Sequence, residues 1–314
     1  MTNNFGAIKT STLSSFLSQD FESAARTVHE CGLDGIDLDR LWEQPIDQLA
    51  ASGLYEPLQA ITKKMSLKVF CLASGLFRCW LDSEAAFQAQ LKTLDSLFRL
   101  SGTLNCSVVR CYAFMRDGDL EDNWTRLVTR FKEAAAIAAR HGLILGVQND
   151  AETFLGTGRE VGRLLDAVGS NHLQAVWDPA ASVFDVYHPE IPYPDGYRAL
   201  QGRTAHIMLR DIDTHKHRGG LLCEVEFGEG IIDYRSQLRA LTGDGYNGAV
   251  SFSSLWRPGI MWQRDIDEGD FTEDGVAQVM RFNLYNLRGV MNPDSFWPPM
   301  NADEYVDQGK IRHE

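Results

Sequence analysis

Cys31-Gly32-Leu33-Asp34-Gly35-Ile36-Asp37-Leu38 and Gly243-Asp244-Gly245-Tyr246-Asn247-Gly248-Ala249-Val250-Ser251-Phe252 are the stretches on which the fold turns. Each places glycine where a helix must stop and the chain must turn, then runs straight into apolar, β-prone residues. They read as one joint used twice, near opposite ends of the chain. Outward from them, a short apolar run followed by a longer stretch of helical periodicity recurs eight times. The expected strands are 7–12, 35–40, 68–74, 107–114, 143–150, 173–178, 205–211 and 248–253. The amphipathic segments between them are 21–31, 46–64, 84–100, 120–141, 159–168, 196–203, 233–241 and 272–287. Strict alternation predicts right-handed βαβ units and a parallel sheet, and eight units close a ring, so residues 1–290 are expected to form one α/β domain, a (β/α)8 TIM barrel. A doubly wound open sheet is the runner-up, but no GxGxxG follows the first strand and no GxxxxGK[ST] occurs, which argues against nucleotide cofactors. Residues 291–314, with Asn292-Pro293 and Phe296-Trp297-Pro298-Pro299, read as a C-terminal tail whose aromatics pack either on the barrel or on a neighbouring subunit.

The charge narrows the partners. With 30 Lys+Arg against 43 Asp+Glu the formal net charge is −13, which repels a polyphosphate backbone in the absence of a basic stripe. The one cationic run, His215-Lys216-His217-Arg218, is short and flanked by Asp211 and Asp213, so it reads as a solvated loop and no nucleic-acid partner is expected. The six cysteines form no CxxC pair, and Cys71, Cys106 and Cys111 lie in or beside core-like runs, so buried free thiols are expected. No apolar run approaches the length of a membrane span and residues 1–11 show no signal-peptide pattern, which leads to the expectation of a cytoplasmic protein without membrane contact.

In a barrel of this kind the site lies at the carboxyl ends of the strands. The polar residues there are Asp37 and Asp39, Ser74, Arg110 or Cys111 with Tyr112, Gln148 with Asn149 and Asp150, Asp178, His206, Arg210 with Asp211, and Ser253 with Trp256 and Arg257. Burying so many polar groups without mutual pairing or a ligand is costly.

These residues resemble those of a known family. Gly32-Leu33-Asp34-Gly35-Ile36-Asp37-Leu38 is similar to the "G-x-D-G-I-E-L" second strand of the xylose-isomerase-like TIM-barrel family of sugar isomerases and epimerases, with Asp37 in place of Glu. Leu145–Asp150 resembles its fifth strand, Val176-Trp177-Asp178-Pro179 its sixth, His206-Ile207-Met208-Leu209-Arg210-Asp211 its "H-V-H-L-K-D" seventh, and Gly245–Phe252 its eighth. The resemblance runs from about Ile8 to Leu287. It implies a divalent cation held by Glu, Asp, His and Glu on strands five to eight, where this chain carries Gln148, Asp178, Met208 and Ser253. One carboxylate, an amide, a thioether and a hydroxyl are a poor set for a hard cation, so no metal or other cofactor is expected there. Ala181 and Asp150 also stand where family members often carry histidine.

The resemblance implies a small sugar or polyol as substrate. The first expectation is a proton-transfer enzyme, isomerase, epimerase or lyase in type, working without the family metal. Asp178, Asp150 and Asp211 are its candidate catalytic residues, with the loop residues His188, His215 and His217 as further acids or bases. Gln148, His206, Arg210, Trp256, Arg257 and Asp37 are its candidate substrate contacts, the arginines also stabilising developing charge. A second reading is a non-catalytic, sugar-binding subunit partnering an active homologue. A third is a divalent-metal isomerase (Mn, Mg or Zn) with its site relocated to Asp150, Glu152, Asp178 and Asp211. The aromatic tail leaves homo- or hetero-oligomers open.

Overall fold

Gly32 and Gly245 do what the joints require: both adopt left-handed backbone, with φ of 79° and 80°, a conformation that costs glycine nothing and other residues a steric clash. In the computed structural model, residues 8–215, 221–256 and 273–292 are described. Eight strands follow the expected runs: β1 (Lys9–Thr12), β2 (Ile36–Leu38), β3 (Val69–Leu72), β4 (Val108–Cys111), β5 (Ile144–Gln148), β6 (Leu173–Trp177), β7 (Thr204–Leu209) and β8 (Ala249–Phe252). All pair in parallel in the order β1-β8-β7-β6-β5-β4-β3-β2, with helices between them. The seam between β1 and β2 is drawn together by the second glycine joint's twin. The Thr10 carbonyl accepts from the N–H groups of Asp34 and Gly35 at 3.0 and 3.2 Å, the Asp34 carboxylate accepts from the Thr10 N–H and hydroxyl at 2.9 Å each, and a bridge joins Leu13 to Asp37. The result is a single, nearly closed (β/α)8 barrel, and the open sheet is set aside.

Inward strand positions fill the barrel with Cys71, Ala73, Val108, Val176 and Met208, as the two-residue period of strands demands. Gly146 belongs to that layer, since a Cβ there would stand 2.5 Å from Val176 Cγ2. Outward positions such as Leu72, Val109, Leu145, Trp177 and Phe252 pack with helical residues including Phe21, Phe98 and Phe131 in the main core. Cys71, Cys106 and Cys111 are buried free thiols, as expected.

Two departures matter for the site. The expected helical segment 46–64 breaks at Gly53 into Ile46–Ser52 and Tyr55–Lys64. After β7 the chain makes an antiparallel ribbon, Asp211–His215 against Leu221–Val225, which strand-helix alternation did not anticipate. No described helix is long and apolar enough to cross a membrane. The tail, 293–314, lies outside the described residues, as do His217 and Arg257.

Candidate active site

At the carboxyl end of the barrel one chain of polar contacts crosses four strands. It begins at Arg110 on β4, whose inward direction follows from its two-residue spacing from Val108. Its guanidinium donates to the carbonyls of Ser74 (3.3 Å) and Ala73 (2.8 Å) and to Gln148 Oε1 (3.2 Å). Gln148, last in β5, donates in turn from Nε2 to Asp178 Oδ2 at 3.4 Å. Asp178 follows β6 and caps the short helix Pro179–Phe184, accepting from the Ala181 N–H at 3.0 Å. Arg210, just after β7, grips the same carboxylate, with Nη2 3.1 Å from Oδ2 and Nε 3.5 Å from Oδ1. Its remaining nitrogen, Nη1, stands 3.9 Å from Glu224 Oε1, and Glu224 Oε2 accepts from the Ser254 hydroxyl at 2.6 Å.

The backbone of this array is fixed from behind. Asn149 accepts from the Asp178 N–H and donates to the Asp178 carbonyl, both at 2.9 Å, and its amide also reaches the Gly156 carbonyl. The Tyr234 hydroxyl donates to the Arg210 carbonyl at 2.6 Å. Asp178 and Gln148 are buried, whereas the Arg210 side chain keeps 27% exposure, so the guanidinium is the part of the array that meets solvent. The adjoining Asp178 carboxylate, and Glu224 after it, hold that guanidinium protonated far above its ordinary range.

Of the residues marked in the sequence, Arg110, Gln148, Asn149, Asp178 and Arg210 come together, and the described candidates Asp37, Asp150, His188, His206, Asp211 and Trp256 have other partners. Asp150 pairs with Arg78, which also reaches Glu152 at 3.4 Å. Asp211 is buried, and its carboxylate is taken by the N–H groups of Ile212, Gly228 and Gly230. It ties down the ribbon's return rather than facing the mouth, and burial pushes its carboxyl above the usual range. His206 and Asp37 meet at 2.8 Å inside the barrel with 1% and 0% exposure, out of reach of a substrate. The Trp256 ring stacks on Phe282 at a centroid distance of 6.3 Å and is a packing element. His188 is held on Glu160 at 2.7 Å.

Glu224 and Ser254 were not marked. Glu224 lies on the ribbon, outside the strand-helix alternation, and the one sequence signal for it is an acid inside the β-prone run Leu221–Val225.

The donor chemistry does not fit the family's divalent cation. The Asp178 carboxylate is engaged by Arg210, Gln148 and Ala181, the Ser253 hydroxyl donates to the Leu209 carbonyl at 3.3 Å, and Met208 is packed among Cys71, Ala73, Val108 and Val176. Nor do Asp150, Glu152, Asp178 and Asp211 assemble into a relocated site, each being committed to the partners above. Among the described residues no group of three or more His, Cys, Asp or Glu could hold a metal ion.

Beside the mouth, Asp47 accepts from the Gly75 N–H at 3.2 Å through Oδ2, while its Oδ1 is buried without a partner. Burial raises its carboxyl above the usual range, outweighing the Gly75 hydrogen bond and the Arg110 charge. The folded chain therefore holds this proton to higher pH than the unfolded chain. The stability that goes with it is full below the unfolded value and lost as pH rises through the folded one. Asp47→Asn is accordingly expected to be more stable than wild type at neutral pH, with the gap closing as pH falls below the carboxylate range. Urea midpoints between pH 3 and 7 check this, and a pH-independent gap would refute it.

The barrel's relatives agree with its geometry. The profile of the family described as "Xylose isomerase-like TIM barrel" matches residues 25–277. Among solved structures, the chain is similar to 3-keto-D-glucoside 4-epimerase from E. coli (TM-score 0.63, 16% identity, covering 87% of this chain and 98% of that one). It is similar to an IOLI protein with a bound zinc atom (0.71, 14%, 91% and 99%) and to D-psicose 3-epimerase with D-tagatose from Clostridium cellulolyticum H10 (0.66, 16%, 89% and 99%). A sequence search of curated proteins returned no match. At such identities the structural likeness carries the fold alone. With the family profile spanning most of the barrel, the chain belongs to the xylose isomerase-like TIM barrel family.

Proposed function

We propose that this protein is a sugar isomerase- or epimerase-like enzyme that moves a proton on a small polyhydroxylated carbonyl compound, with the Arg210 guanidinium doing the work of the family's divalent cation. The observation that carries this is Arg210 itself. Two of its nitrogens are anchored on Asp178, while Nη1, 3.9 Å from Glu224, is beyond hydrogen-bond distance of that carboxylate. Nη1 therefore presents N–H donors at the mouth of the barrel, where sugar oxygens would enter. Removing a proton next to a carbonyl places negative charge on the carbonyl oxygen, and a preorganised cation at that oxygen lowers the barrier. Asp178, Gln148 and Asn149 are positioning residues that hold the guanidinium still.

The test is exchange of substrate C–H hydrogens from D2O, followed by proton NMR on a panel of aldoses and ketoses, with the protein in excess chelator. Wild type is expected to exchange at least one sugar under chelator, and Arg210→Gln to exchange it ~10²–10³-fold more slowly, the size seen when one oxyanion donor is removed. Exchange that appears only after Mn²⁺, Mg²⁺ or Zn²⁺ is added would reinstate the metal reading. Sugar binding without exchange would make the chain a binding subunit.

A further inference from the structure

Arg110 is a buried cation that meets only neutral acceptors. It keeps 8% exposure, and its guanidinium donates to the carbonyls of Ser74 and Ala73 and to the amide oxygen of Gln148. Among the described residues no carboxylate lies within ion-pair distance of it, whereas Arg78 has Asp150, Arg116 has Asp185 and Arg210 has Asp178. The acids whose charge reaches Arg110 act from further off. Asp37 is paired with His206, Asp39 accepts from the Ser14 and Ser15 hydroxyls, and Asp47 accepts from the Gly75 N–H. Burying a cation without an opposite charge beside it is expensive. A glutamate at position 148 would supply that charge, and the amide there does not. A guanidinium carries five N–H donors. The three bonds of Arg110 use Nε once and each terminal nitrogen once, which leaves one N–H on Nη1 and one on Nη2. Two donors on the terminal nitrogens of one fork match the two oxygens of a carboxylate.

We infer that the substrate of this site is a sugar acid, with its carboxylate on Arg110 and its carbonyl oxygen on Arg210. This rests on the reading of Arg210 proposed above and narrows its substrate from a small sugar to one that carries a carboxylate. The two arginines stand at opposite ends of one chain of contacts, joined through Gln148 and Asp178. Gln148 divides that chain: its Oε1 faces Arg110 and its Nε2 faces Asp178, so a neutral group separates the incoming carboxylate from the resident one. A second cation strengthens the Arg110 end. The guanidinium carbons of Arg78 and Arg110 stand 4.5 and 5.1 Å from the centroid of the Tyr112 ring. The formal net charge of −13 opposes an anion at long range, but salt screens exposed charges far more than a buried fork, so the local contact decides.

The experiment is isothermal titration of the full chain, in excess chelator and physiological salt, with neutral and acidic sugars that differ at one carbon. The pairs are glucose with glucuronate, galactose with galacturonate and fructose with fructuronate, and glucose 6-phosphate is added as a second kind of anion. Wild type is expected to bind at least one acid ~10–100-fold more tightly than its neutral partner, the range that hydrogen bonds to charged groups supply. Arg110→Lys keeps the charge and loses the fork, so it should lose most of that preference while the Kd of the neutral sugar stays within about threefold of wild type. Acids that bind no more tightly than their neutral partners, or not at all up to about 10 mM, overturn the inference. So does a folded Arg110→Lys that keeps the full preference, and so does a phosphate that binds more tightly than every carboxylate. Should Arg110→Lys fail to fold, by circular dichroism, the wild-type pairs decide it alone. The D2O exchange separates this inference from the reading it rests on. Exchange of neutral sugars without acid preference overturns the sugar acid and leaves the Arg210 reading standing. Acid preference without exchange in chelator supports the carboxylate site on Arg110 and overturns the proposed enzyme.

Discussion

Asp178→Ala should lower the unfolding free energy by about 3–5 kcal/mol, because removing one member of a buried, hydrogen-bonded ion pair leaves the other charge uncompensated. Arg210 keeps a second carboxylate within reach, Glu224 at 3.9 Å, and some contact with solvent, which places the effect toward the lower end. In the other direction, the same substitution removes the cap of Pro179–Phe184, a loss of ~1 kcal/mol, and strips Gln148 of its acceptor. Asn149 still fixes the backbone at position 178, so the barrel itself is expected to persist. Asp178→Asn should fall between wild type and alanine, since the amide keeps one acceptor but turns an NH2 group toward either Arg210 or Gln148. Urea unfolding with an unchanged m-value reports this directly. A loss below about 1 kcal/mol for Asp178→Ala would mean that the pair with Arg210 contributes little.

The second large effect lies deeper. Asp37 and His206 face each other inside the barrel from β2 and β7, 2.8 Å apart and shut off from solvent. Neither side chain can recruit water if its partner is removed, so Asp37→Ala and His206→Ala should each cost about 3–5 kcal/mol. The double variant should cost clearly less than the sum, with an interaction term of ~1–3 kcal/mol, because it leaves no orphaned polar group from the pair. Additive losses would show that packing, and not the polar contact, makes these positions sensitive. The hydroxyls of Ser11 and Ser251 and the second oxygen of Asp37 are buried without partners in the same molecule. Such atoms are costly to bury.

The fold was legible because its signals are local. Apolar periodicity, Gly32 and Gly245 at the helix ends, and strand-helix alternation act over a few residues each, and they specify the same barrel whatever its distant parts do. The positions of Gln148, Asp178 and Arg210 at the mouth were legible for the same reason, since each ends a recognisable strand. Even the poor fit to a divalent cation could be read from residue types, because a thioether and an amide are weak ligands for hard cations wherever they sit.

Tertiary structure decided which of the strand-end groups meet. Asp37 and His206 are separated by 169 residues, and only closure of the barrel turns two candidate substrate contacts into an internal pair. Asp211, one residue from Arg210, faces away because the backbone amides of Gly228 and Gly230 fold back onto it. Glu224 joins the site because an antiparallel ribbon, invisible to a strand-helix count, lays it beside Arg210. Sequence by itself determined the barrel and which polar residues stand at the carboxyl ends of its strands, because backbone conformation and side-chain period are properties of neighbouring residues. It could not determine the partners of a carboxylate, because those are set by distances between segments far apart in the chain, and only packing fixes them.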